Sequence, residues 1–297
     1  MTSAKHISYA HAAQTRSGWA VIRVMENVTG RTRMLRRARG FQAELEQGQS
    51  FWNVITERYG LTLDIQAGAL SNIPTHGPVV LVANHPYGIL DGLMLGHILD
   101  QTRGDFRVLA NDVFRRAPAL ADVILPISFD ATKEAAQCNI QTRAEAHKFL
   151  LGGGAMGVFP GGTVSTRANR RMPAMDPSWR TFTAKMIMKS RATVIPIHFE
   201  GANSGAFQLA SQIHSTLRMG LLIREFRKRV DQPVVVSIGT PLTPQDMAPF
   251  AKDPKGCMDF LRKSTYELSQ GPCDPSLLGY DFDIKGKGAQ DHGSRRI

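Results

Sequence analysis

Short, strongly apolar runs alternate along this chain with longer amphipathic stretches. Six runs read as strands: Val79–Ala83, Phe106–Leu109, Val123–Ile127, Met156–Phe159, Val194–Phe199 and Val234–Ile238. All are too short for a helix, and Pro78 to Val82 is apolar at every position, which marks a buried strand. Helical stretches fall between them, at about Asp91–Gln101, Thr132–Leu151, Ser178–Lys189 and Ala206–Val230, with another from about Lys255 to Leu268. This rhythm predicts an α/β fold with a mostly parallel central sheet flanked by helices.

The chain from Arg16 to Trp52 is helix-compatible, with Gly30 dividing it into two helices. Arg16, Arg23, Arg31, Arg33, Arg36, Arg37 and Arg39 interleave there with Trp19, Val21, Ile22, Val24, Met25, Met34, Leu35 and Phe41. Basic amphipathic helices of this kind suit an anionic bilayer surface. They equally suit a solvated face packed on a domain, and both readings stay open. The chain divides into an N-terminal basic helical segment (1–60), an α/β domain (61–245), a C-terminal helical extension (246–284) and a polar, glycine-rich tail expected to be disordered (285–297).

Charge changes the picture more than composition does. The formal net charge is +11 over 297 residues, which implies anionic partners: nucleic acid, a membrane surface or anionic substrates. Cys138, Cys257 and Cys273 lack CxxC spacing, so neither a disulfide framework nor a zinc site is expected, and a reducing compartment fits. The nine histidines show no metal-binding spacing. The N-terminus lacks a signal-peptide core, and no apolar run reaches the roughly 18 residues of a spanning helix.

Three of the strands run into polar turns. Val79–Ala83 leads into Asn84-His85-Pro86-Tyr87-Gly88-Ile89-Leu90-Asp91, placing a histidine at a strand end and a carboxylate at the next helix start. Met156–Phe159 leads into Pro160-Gly161-Gly162-Thr163-Val164-Ser165, whose backbone N–H groups can approach an anion closely. Val194–Phe199 leads into Glu200-Gly201-Ala202-Asn203-Ser204. Convergent strand ends are the usual place for a site in such sheets. Taken singly, each block also reads as an ordinary turn or ion pair.

In order and spacing, these blocks resemble the PlsC-like glycerophospholipid acyltransferases over roughly residues 61–242. That family carries Asn-His-x4-Asp, Phe-Pro-Glu-Gly-Thr-Arg-Ser and Val-x-Pro-Val. The counterparts here are Asn84-His85 with Asp91, Phe159 to Ser165, and Val194-Ile195-Pro196-Ile197. Leu109-Ala110-Asn111-Asp112 and Phe199 to Ser204 bring it nearest to the bacterial hemolysin-like and lyso-ornithine-lipid acyltransferase branch. Two departures stand out. One extra residue separates His85 from Asp91, and Gly161 and Val164 replace the family's Glu and Arg, which help bind the acceptor's phosphate.

The resemblance implies acyl transfer from acyl-ACP or acyl-CoA, used as co-substrate with no other cofactor or metal, to a lysolipid hydroxyl. His85 would be the general base and Asp91 its orienting partner. Asn84, Phe159, Pro160, Gly161, Gly162, Thr163 and Ser165 would form the substrate-binding set, with N–H groups of the Gly161-Gly162-Thr163 turn facing the oxyanion. Loss of the block's arginine favours a lyso-aminolipid of the ornithine-lipid type, although Arg167, Arg170 and Arg171 follow closely. Arg115-Arg116 and Arg224 with Arg227-Lys228-Arg229 are candidate contacts for the donor or an acidic carrier. The expected location is peripheral, on the cytoplasmic face of the inner membrane. The alternatives are a lysophosphatidic acid acyltransferase and, in another class, a basic nucleic-acid-binding protein. Nothing resembling a zinc, RNP-type or recognition-helix motif supports the latter, and a serine hydrolase lacks its Gly-x-Ser-x-Gly elbow.

Overall fold

The computed structural model describes residues 15–128 and 132–282; the tail expected from 285 lies outside them. The N-terminal stretch forms four short helices, α1 (Arg16–Thr29), α2 (Arg31–Arg37), α3 (Phe41–Glu46) and α4 (Phe51–Arg58). Gly30 separates the first two at φ +123, with a Cβ there meeting the Arg227 side chain at 2.5 Å. The remaining chain runs β1 (Thr62–Ala67), β2 (Val79–Ala83), α5 (Ile89–Arg103), β3 (Phe106–Asn111), β4 (Ile124–Ile127), α6 (Lys133–Leu151), β5 (Ala155–Val158), β6 (Thr166–Arg167), β7 (Ala174–Met175), α7 (Thr181–Ser190), β8 (Thr193–Phe199), α8 (Gly205–Ile213), α9 (Ser215–Arg227), β9 (Pro233–Ile238), α10 (Pro244–Met247) and α11 (Pro254–Tyr266).

Seven strands make one sheet in the order β1-β9-β8-β2-β5-β3-β4. The five from β8 to β4 are mutually parallel, β9 runs antiparallel to β8, and β1 runs parallel to β9. The sheet is therefore mostly parallel, as the alternation of elements predicts. β2 lies at its centre with all five residues buried, because helices cover both faces. Val79, Leu81 and Ala83 point into one core with α4 and α5, and Val80 and Val82 into the other with α6, α7 and α11.

Four features depart from the sequence reading. The basic N-terminal stretch, expected as two helices divided at Gly30, breaks again near Gly40 and Ser50 and forms four. β1 is an additional edge strand, only partly buried along its length. Residues 206–230 do not form one helix: His214 is extended (φ −159, ψ 138) and its Nδ1 caps α9 by accepting from the Thr216 N–H. A two-residue hairpin, β6–β7, follows the glycine turn.

Candidate active site

The carboxyl ends of β8, β2 and β5 lie side by side, so the three polar turns meet on one sheet edge. Immediately after β2, the buried Asn84 clasps β8: its Nδ2 donates to the Phe199 carbonyl at 2.9 Å and its Oδ1 accepts the Phe199 N–H at 2.7 Å. The Asn84 amide is thus occupied by backbone and fixes where His85 leaves the sheet.

His85 Nδ1 lies 3.2 Å from Asp91 Oδ1, with Asp91 fully buried in the first turn of α5. The separation is in ion-pair range, but the direction is off a hydrogen-bond axis. Catalytic contacts of this kind commonly tighten when substrate binds. Asp91 also accepts the Tyr87 N–H (2.9 Å) and the Gly92 N–H (3.0 Å), and the helix N-terminus favours its charge. Within the segment joining His85 to Asp91, Gly88 has a φ of +87 that suits glycine, and a Cβ there would lie 2.9 Å from Val164 Cγ2. The imidazole stacks on Phe159 at 4.1 Å between centroids, leaving Nε2 as the nitrogen that can meet a substrate.

The glycine turn follows β5. Pro160 and Gly161 are buried, and Phe159, Gly162 and Thr163 are partly exposed. The Gly162 N–H is taken by the Phe159 carbonyl at 3.0 Å. This takes the Gly162 amide out of the turn's candidate donors. Among the described residues nothing accepts from the N–H of Gly161 or Thr163, so those two are the candidate donors. The turn is tied to the histidine loop by the Ser165 N–H, which donates to the His85 carbonyl at 2.8 Å.

Two residues at this edge escaped the sequence reading. Asp176, fully buried, accepts the Ser165 hydroxyl (2.5 Å) and the His85 N–H (3.2 Å) on Oδ1 and the Trp179 indole N–H (2.9 Å) on Oδ2. Its carboxyl also fills the space beside Gly161, where a Cβ would lie 3.2 Å from Asp176 Cγ. Gly161 has no positive φ, so it is the carboxyl of Asp176, and not backbone conformation, that crowds a side chain there. Arg218 of α9 donates to Thr163 Oγ1 (2.6 Å) and to the Val164 carbonyl (2.9 Å), bringing a guanidinium to a turn that lacks its own. Arg170 and Arg171 are exposed beyond it, and Arg167 lies in β6.

Beside the turn after β8, His198 is buried with Nδ1 3.3 Å from Glu200 Oε1. That contact, with the Gln270 N–H, outweighs burial and pulls the Glu200 carboxyl down to about 2. Burial pushes the Tyr87 hydroxyl up. Among the described residues no cluster of three His, Cys, Asp or Glu is placed to hold a metal ion.

Ser165 is 2% exposed and its hydroxyl is committed to Asp176, so it is not a nucleophile. The His85–Asp91 pair stands at the same edge, with Nδ1 turned to the carboxylate.

Comparison with known proteins bears on the family of the chain. A lyso-glycine lipid O-acyltransferase of Phocaeicola vulgatus is 31% identical over 214 residues, 65% of this chain and 72% of that protein. One of the same name from Bacteroides thetaiotaomicron is 28% identical over 216 residues, 70% of this chain and 76% of that protein. The crystal structure of the 1-acyl-sn-glycerophosphate (LPA) acyltransferase PlsC from Thermotoga maritima aligns with a TM-score of 0.46 at 16% identity, over 80% of this chain and 85% of that one. The family model described as Acyltransferase matches residues 38–271, wider on both sides than the blocks alone suggest. The chain belongs to this acyltransferase family and is an enzyme of acyl transfer.

Proposed function

We propose that the protein transfers a fatty acyl group from a thioester, acyl-ACP or acyl-CoA, to the hydroxyl of a lysolipid with an amino-acid headgroup. The observation that carries this reading is the His85–Asp91 pair at the end of β2, beside a glycine turn with two unused amides. His85 Nε2 takes the hydroxyl proton as the oxygen attacks the thioester carbonyl. Attack forms the C–O bond and an oxyanion received by the Gly161 and Thr163 N–H groups, the C–S bond breaks as the oxyanion collapses to the ester carbonyl, and the imidazolium gives the proton to the departing thiolate. Asp91 holds Nδ1 protonated and stabilises the imidazolium. The names of the two relatives support an amino-acid headgroup over a phosphate.

Lipid acceptors place the reaction at a bilayer, and the expected site is the cytoplasmic face of the inner membrane. No helix among the described residues is long and apolar enough to cross one. α1 presents Val24 and Val28, 61% and 80% exposed, with Trp19 stacked by Arg23, a surface that suits lipid headgroups.

The test incubates the purified full-length protein with palmitoyl-ACP or palmitoyl-CoA and three acceptors: lyso-glycine lipid, lyso-ornithine lipid and lysophosphatidic acid. Mass spectrometry should find the acylated aminolipid, and His85→Ala should remove it. Exclusive acylation of lysophosphatidic acid would overturn the headgroup assignment, and full turnover by His85→Ala would overturn the base.

A further inference from the structure

A cavity of about 180 Å³ opens on the same sheet edge, between the start of α5, the end of β8 and the start of β9. Two of its walls, Tyr87 and Leu90, belong to the segment joining His85 to Asp91. Tyr87 is locked in place. Its hydroxyl donates to the Glu200 carbonyl at 2.7 Å, and a Cβ on Gly201 would come within 2.1 Å of that hydroxyl. The half-buried Arg229 lies over the Tyr87 ring, 4.6 Å from its centroid, and also lines the cavity.

The basic run that ends in Arg229 does not behave uniformly. Lys228 and Arg224 lie 3.2 and 4.0 Å from Glu225. No carboxylate among the described residues lies within ion-pair distance of Arg229, and Glu200 in the cavity wall is committed to His198, Ser269 and the Gln270 N–H. The remaining lining, Leu90 with Pro233 to Val235, is apolar.

We infer that this cavity receives the headgroup carboxylate of the acceptor, with Arg229 as its cation. A planar guanidinium presents paired donors that match the two oxygens of a carboxylate. Apolar walls suit the short carbon stem behind it, whereas a dianionic phosphate calls for further donors that these walls do not provide. The Tyr87 ring touches Arg229 while the Tyr87 N–H holds Asp91, so a headgroup bound here lies against the loop that carries the catalytic pair. This inference rests on the lysolipid reading above and names what selects its acceptor.

The test compares lyso-glycine lipid with its methyl ester as acceptors for wild type, Arg229→Gln and Arg229→Lys. Wild type should favour the acid over the ester in kcat/KM by about tenfold or more, the range of a charge-assisted hydrogen bond. Arg229→Gln should bring that ratio near one, and Arg229→Lys should keep part of it. Titration calorimetry with N-octanoylglycine and its methyl ester reads the cavity without turnover, and the same loss of preference is expected in Arg229→Gln. An unchanged acid-to-ester ratio in Arg229→Gln would overturn the inference. So would a rise in KM for the thioester alone, which would assign Arg229 to the donor. Absence of turnover with both acceptors would count against the lysolipid reading, and the titration would still decide the cavity.

Discussion

Replacing Asp176 tests whether a buried carboxylate outside the conserved-looking blocks sets the position of the catalytic histidine. It accepts from three donors: the His85 N–H, the Ser165 hydroxyl and the Trp179 indole. In Asp176→Ala the Ser165 hydroxyl can rotate away, but the other two donors are stranded in the interior. At about 1–3 kcal/mol per unsatisfied buried group, the loss is about 2–6 kcal/mol. In Asp176→Asn one amide NH2 must face either Trp179 or the His85 N–H, so a single donor–donor conflict remains, costing about 1–3 kcal/mol. The melting temperature of Asp176→Asn should fall by a few degrees, at roughly 2–4 °C per kcal/mol for a domain approaching this size. Activity should fall further than stability implies, because a displacement near 1 Å at the base costs on the order of 10²-fold in rate. The assay is kcat and KM at a temperature where circular dichroism shows both variants folded, with kcat carrying the loss. Adding Gly161→Glu to Asp176→Ala returns a carboxylate to the same space and should recover part of kcat. Wild-type kcat in Asp176→Asn, or no recovery in the double variant beside a fully folded single one, would refute the reasoning.

Asp91→Asn should cost about 1–3 kcal/mol, because each Asp91 oxygen accepts a backbone N–H and one of them would face the amide NH2, and should lower kcat by about 10³–10⁴-fold at a temperature where the variant is folded; steady-state kinetics with thermal melts decide it. Because Ser165 is spent on Asp176, initial-rate patterns in both substrates should intersect, with no acyl-enzyme in intact-protein mass spectra after donor alone; parallel lines would contradict this. Glu200, held near 2 in the folded protein against 4.5 ordinarily, contributes stability that is complete above about pH 5 and is lost as pH falls toward 2. Glu200→Gln should therefore lower stability near neutrality and flatten the acid limb of a stability–pH profile, so that the two proteins converge as pH falls toward 2. Gly96→Ala drives a methyl group into the Trp52 ring, where a Cβ would lie 2.1 Å from Cζ3, and should cost about 1–3 kcal/mol in denaturant melts.

The central strands and most helices were legible because their pattern is set by burial on both faces. β2 is readable to the residue for that reason. β1 was not, because an edge strand half in solvent has no continuous apolar run. The break at His214 is equally silent: no glycine or proline marks it, and α9 turns there to pack on α1 and α8. The His85–Asp91 pair was legible from local spacing, since both flank one strand-to-helix turn. Asp176 and Arg218 were not, because each reaches the glycine turn from a distant segment through the tertiary fold. A weak signal for Asp176 lay in Gly161, a glycine where the family pattern has a long acid, in a turn whose backbone there does not demand glycine.

Trp52 of α4 lies against Gly96, on the helix whose first turn holds Asp91. The N-terminal helices are therefore keyed mechanically to α5, the helix that carries Asp91. A shortened chain starting near residue 60 would lose the indole that fills this notch and bare part of the core. Separating the proposed bilayer attachment from turnover calls for charge reversal on the outer face of α1, leaving the packed inner face whole.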